Sequence, residues 1–170
     1  MLLRFILLSC FLSLTACNAA SFSEKFNLVQ LQINGNKVQV QLADTVAKRS
    51  QGLMGQTPLK YGMLLLLQQP AQMQLWMKNT PESLDVAFID VNWRIVAITS
   101  MQANTETLHP SGQVVRAALE MAPGWFSKSG VQVGDSVVYC AAEPFAENLA
   151  EHSVESLAET DLCLSEKNRK

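Results

Sequence analysis

A chain of 170 residues with 13 basic and 15 acidic side chains has a formal charge of −2 at pH 7 and no basic cluster along its length. That balance argues against nucleic acid as a partner, because phosphate binding draws on basic patches that displace counterions. The length suits one domain with a real core and is too short for two.

Met1 to Ala16 holds one charge, Arg4, followed by an apolar run from Phe5 to Leu14. The run is too short to span a bilayer and reads as a secretory signal over residues 1–16. Leu14-Thr15-Ala16-Cys17 resembles the lipobox of bacterial lipoproteins, in which the cysteine receives a diacylglycerol and the new amino terminus is acylated. Several acyl chains hold a protein to a membrane where one is marginal. Signal cleavage near Ala19 or Ala20 is the alternative. Asn18 after the cysteine resembles lipoproteins sent to the outer membrane. The expected location is therefore the periplasmic side of a bacterial envelope, with the membrane as a partner through Cys17. Residues 17–26 form the lipidated terminus and a short polar spacer. Without the signal, 154 residues remain with 12 basic and 15 acidic side chains, a balance of −3.

From there the pattern is one of strands. Val29, Leu31 and Ile33, then Val38, Val40 and Leu42, alternate with polar residues around Asn34-Gly35-Asn36, which predicts a β-hairpin. Asp44 can cap a short helix over Thr45 to Met54, weakened by Gly52 and Gly55 and placed to plug an open end of the sheet. Met63 to Leu67 reads as a buried strand. Met73, Leu75 and Met77 alternate with Gln74, Trp76 and Lys78. After the polar turn Asn79-Thr80-Pro81-Glu82-Ser83, Leu84, Val86 and Phe88 alternate with Asp85, Ala87 and Ile89. This alternation predicts that Trp76, Lys78 and Asp85 share one side, as a binding surface or as a structural ion pair under a tryptophan.

Further strands are predicted over Arg94 to Ile98, giving a second hairpin from Leu84 to Met101, over Val114 to Met121, and over Val131 to Tyr139. Residues 102–113 read as a loop with His109 at its tip, and Pro123 to Gly130 as a tight turn with one helical turn. About eight short strands with turns between them predict an all-β domain over residues 27–140, a compact sandwich or barrel rather than alternating βαβ units. Residues 141–170 form an acidic tail. Its Glu143, Glu147, Glu151, Glu155 and Glu159 would line one face of a helix and repel. A docked helix, a frayed tail, and a carboxylate face for cations or a basic partner all fit that pattern.

Cys10 leaves with the signal and Cys17 is taken by lipid, so Cys140 and Cys163 are the candidate disulfide, worth roughly 3 kcal/mol through loop entropy. No zinc-ligand spacing and no cofactor motif are present, so no metal or cofactor is assigned. Met54, Met63, Met73, Met77, Met101 and Met121 are soft ligands that suit cuprous ion, yet they fall at core positions. The usual catalytic motifs are absent. A carboxylate pair, Asp85 and Glu120 tuned by Lys78, is the one acid/base arrangement available to a hydrolase-like enzyme, and both residues can equally hold strands together.

G-L-M-G at Gly52 to Gly55, G-M-L at Gly62 to Leu64, W-M-K-N-T at Trp76 to Thr80, L-D-V-A-F at Leu84 to Phe88 and L-E-M-A-P-G at Leu119 to Gly124 resemble, in order and spacing, the bacterial and archaeal family called domain of unknown function 192. The resemblance covers roughly residues 26–140. It implies a compact all-β sandwich or barrel, often secreted, with no established activity. Leu65 to Leu67 depart from the Phe that the family favours, which removes the aromatic lining of any cavity there. Composition and resemblance together predict an envelope lipoprotein that binds a small ligand or a protein, with Trp76, Lys78, Asn79, Asp85 and Glu120 as candidate contacts.

Overall fold

The structure, a computed structural model, describes residues 25–140. The signal, Cys17, Cys163 and the acidic tail lie outside the described residues, and with them the anchor, the disulfide and the docked helix. Seven strands form one sheet: β1 (Asn27–Ile33), β2 (Asn36–Ala43), β3 (Gly62–Leu75), β4 (Leu84–Ile89), β5 (Ile95–Met101), β6 (His109–Met121) and β7 (Val137–Cys140). Two short helices, α1 (Val46–Gln51) and α2 (Trp125–Lys128), complete the predominantly β fold that the alternation predicts.

The sheet order is β5-β4-β6-β3-β2-β1-β7. Both expected hairpins form, β1 with β2 and β4 with β5. Asn34 and Gly35 turn the first at φ 47° and 77°, the left-handed backbone that a two-residue hairpin turn requires. All pairs are antiparallel except β2 and β3, which run parallel and are joined through α1. The sheet is not closed into a barrel. Its edge strands meet only at one corner, where Arg94 bridges Ser136 and the Val137 N–H donates to the Trp93 carbonyl at 2.7 Å. There the Arg116 guanidinium lies 5.0 Å over Trp93, which stacks on Tyr139 at 5.7 Å.

Period-two alternation sends side chains into two apolar layers. The layer on the enclosed face takes residues from all seven strands, among them Leu31, Ile33, Val40, Leu64, Ile89, Ile95, Leu119 and Val137, with Phe126 from α2. The layer on the opposite face is built mainly on the middle strands, from Met63, Leu65, Val86, Phe88, Met101 and Ala118, and is roofed by Leu53 and Met77.

Four local expectations change. The helix is shorter than Thr45 to Met54, and Thr45 rather than Asp44 is its cap, accepting the Lys48 N–H at 3.1 Å, while Asp44 pairs with Lys48. The helix lies beside the second layer instead of plugging an end, because Leu53 just beyond it is the buried anchor. His109 is not at a loop tip; it opens β6 opposite Leu75. The strands flanking the 76–83 corner do not pair with each other, since β6 lies between β3 and β4.

Gly62 explains the G-M-L motif. A Cβ there would overlap the Met121 sulfur and the Glu120 carbonyl, so β3 and β6 approach as closely as they do only over a glycine. Gly62→Ala is expected to cost about 2 kcal/mol or more through overpacking between two ladder strands, read as a lower urea midpoint at unchanged slope.

Candidate functional site

Beyond Leu66 and Ala117, β3 and β6 leave their outer neighbours and continue as a two-stranded ribbon, with a break in register between Leu66 and Ala71. The ribbon is one wall of an open groove of about 350 Å³, through Leu67, Gln72, Gln74 and Trp76. The facing wall is α1 and the turn after it, through Val46, Ser50, Leu53 and Met54, and Leu65, Thr80 and Glu120 also line it. Arg49 is held at its edge because Nη1 donates to the carbonyls of Asp44 at 2.9 Å and Leu66 at 2.8 Å.

The corner 76–80 is tied down by backbone. The Gly55 N–H donates to the Asn79 carbonyl at 2.9 Å, joining G-L-M-G to W-M-K-N-T. The Met77 N–H donates to the Thr105 carbonyl at 2.9 Å, and the Asn104 N–H donates to the Thr80 carbonyl at 3.0 Å. Trp76 is left 44% exposed at the groove wall. Lys78 sits 5.2 Å over the Trp76 ring and pairs with Glu106 at 3.4 Å across a solvated surface.

Asp85 does not join them. Its Oδ1 accepts from Ser100 Oγ at 2.6 Å and its Oδ2 from the Gly124 N–H at 2.7 Å. Gly124 stands at φ 75° at the start of α2, so Asp85 holds a left-handed turn in place. The same register separates the proposed carboxylate pair. Asp85 faces Met121 while Glu120 faces Val86, which puts the two carboxyls on opposite faces of the sheet. A shared acid/base site for Asp85 and Glu120, with Lys78 tuning either, is thereby ruled out. The thioethers lie in the core: Met63, Met73, Met77 and Met101 pack in one apolar layer and Met121 in the other. Among the described residues no cluster of three His, Cys, Asp or Glu is placed to hold a metal ion.

Glu120 is the unusual group. It sits on a central strand between Met63 of β3 and Val86 of β4, is 5% exposed, and its side chain makes no hydrogen bond or ion pair among the described residues. Burial alone pushes its carboxyl up to about 7 from 4.5. Sequence reading selected it for the wrong partner and missed Ser50, Gln72 and Gln74, whose glutamine-rich run across residues 68–74 marks an exposed strand wall.

The fold and groove define a small domain built on one sheet, with a single desolvated carboxyl in a cleft of mixed lining that also holds the Arg49 guanidinium. The sequence profile of domain of unknown function 192 (DUF192), described as "Uncharacterized ACR", matches residues 29–139, and the chain belongs to that family. Two solved structures share the fold. A Sinorhizobium meliloti protein described as a "putative transcription regulator" is 26% identical, with a TM-score of 0.65 over 69% of this chain and 97% of its own. A Novosphingobium aromaticivorans protein of unknown function is 29% identical, with a TM-score of 0.59 over 66% of this chain and 84% of its own. Comparison with curated proteins gives no match.

Two outcomes follow from the geometry. Asp85→Ala, which strips one charge-assisted bond from Ser100 of β5 and one from the α2 turn, is expected to lower stability by about 2 kcal/mol in chemical denaturation. For Glu120, a folded value of about 7 against 4.5 in the unfolded chain means that the native state binds the extra proton between those values. Stability therefore falls as pH rises from 4.5 through 7, by about 3 kcal/mol in total. Glu120→Gln should flatten that slope and be the more stable protein at pH 8, as measured by urea titrations at several pH values.

Proposed function

We propose that this protein is an envelope-anchored binding module whose site is the groove between α1 and β3, taking a small, partly apolar molecule. The observation that carries this reading is the Glu120 carboxyl, kept buried and unpaired at an open cleft where a leucine would stabilise the sheet. A polar group held against its desolvation cost in a concave apolar site is characteristic of a ligand contact. Trp76 supplies an exposed indole at the wall, and Gln72, Gln74 and Ser50 supply neutral hydrogen-bonding groups. Lys78 and Asn79 act on the ligand indirectly, by holding Trp76 and the 76–80 corner; Asp85 supports the α2 turn.

The lipobox-like Leu14-Thr15-Ala16-Cys17 supports a diacylglycerol anchor at Cys17, which places the groove in the periplasm beside a membrane. Asn18 favours the outer membrane. Cys140 at the end of β7 and Cys163 suit a disulfide in that oxidising compartment.

Ser50→Trp fills the groove from an exposed position and leaves the core intact. In an NMR screen of small amphipathic compounds, hits should shift the Ser50, Gln72 and Trp76 resonances and lose binding in Ser50→Trp. Hits scattered over other surfaces, or unaffected by the substitution, would sink the groove as the site. Cys17→Ser should move the protein from the membrane fraction to the soluble periplasmic fraction; an unchanged distribution would remove the anchor.

A further inference from the structure

We propose that the ligand of this groove is an organic ammonium ion with an apolar body, its nitrogen paired with the Glu120 carboxylate and its hydrocarbon laid along Leu65, Leu67 and Trp76. The inference rests on the groove being a binding site and names what it takes.

The charges around Glu120 point this way because none of them pairs with it, the Arg49 guanidinium of the groove lining included. β3 carries no ionisable side chain over its whole length, Gly62–Leu75. On β4, Asp85 faces the other side of the sheet and is bound to Ser100 and Gly124. On α1, Lys48 is paired with Asp44 at 3.1 Å, and Arg49 Nη1 is held by two backbone carbonyls. On β6 itself, Arg116 lies over Trp93 at the corner where the sheet edges meet, and His109 opens the strand opposite Leu75, at the far end of the ribbon. From the 76–80 corner, Lys78 leans on Trp76 and pairs with Glu106. Burial is accordingly the one cause that moves the Glu120 carboxyl, with no cation near enough to offset it.

An ion that enters this cleft must therefore bring the missing positive charge. A carboxylate desolvated without a partner gains most from an ammonium, which donates up to three hydrogen bonds and neutralises it. An anionic ligand would meet a second negative charge at Glu120, and the Arg49 guanidinium of the lining is tied through Nη1 to two backbone carbonyls and does not pair with that carboxyl. A neutral alcohol gains one hydrogen bond and leaves the charge standing. The apolar lining, with an indole face beside it, suits a hydrocarbon body and can itself attract a cation passing the rim.

The consequence is a proton linkage. An alkylammonium keeps its proton throughout the neutral range, whereas the Glu120 carboxyl titrates within it at about 7. Binding thus selects the ionised carboxylate and releases a proton at low pH.

The test uses three probes of one length on the purified full chain: n-hexylammonium, hexanol and hexanoate, followed by NMR at Ser50, Gln72 and the Trp76 indole. Hexylammonium should tighten roughly tenfold from pH 6 to pH 8, the change in the ionised fraction of a group titrating near 7. Hexanol should bind without pH dependence, and hexanoate should be the weakest at pH 8. In Glu120→Gln, hexylammonium should lose both its pH dependence and its advantage over hexanol. If the amine and the alcohol bind the groove equally at pH 8, or if Glu120→Gln keeps the pH dependence, the ammonium inference fails while the groove stands. If no probe moves the three groove resonances, and Ser50→Trp behaves as the wild type does, the binding reading fails with it.

Discussion

The whole domain depends on the last residues of β6, Ala117 to Met121, being buried on both faces. There its two edges are paired, to β3 and to β4, and its side chains alternate between the two apolar layers. Leu119 and Met121 feed the enclosed layer, while Ala118 belongs to the layer roofed by Leu53 and Met77. A strand buried this way tolerates only apolar residues unless something offsets their desolvation. Glu120 breaks that rule one residue before the end of the strand, and it lines the cleft between α1 and β3.

The family motifs divide along the same line. Gly62, Asp85 and Gly124 are structural: one permits the β3–β6 approach, and the other two lock the turn into α2 through a single hydrogen bond. Gly55 and Asn79 are joined by backbone and fix the height of the wall that carries Trp76. Of the other motif residues, Trp76, Thr80 and Glu120 line one groove. Holding a cleft open beside a buried acid takes most of the specified residues.

The alternation of Val29 to Leu42 and of Leu84 to Met101 made both hairpins legible, because a period of two with a turn between is decided locally. The helix and the turn at Pro123 were legible for the same reason, within a few residues at the ends. The insertion of β6 between β3 and β4 was not, since strand order is set by contacts tens of residues apart, and the alternation of Asp85 says which way it points but not toward what. That is how Asp85 was grouped with Lys78: both stand off the apolar positions of their own strands, yet the strands lie in different parts of the sheet. Glu120 was visible as a charge in an apolar run, and its lack of a partner was not, because partners are supplied by the fold.

Trp76 and Lys78 illustrate why proximity alone does not assign a role. The ammonium of Lys78 is 5.2 Å from the indole centre, yet it is solvated and engaged with Glu106. An exposed ion pair of this kind contributes little to stability, since water screens it and both side chains lose freedom. It does keep the indole in one orientation. Because burial is the cause of the displacement of the Glu120 carboxyl, Lys78 is not its counter-ion.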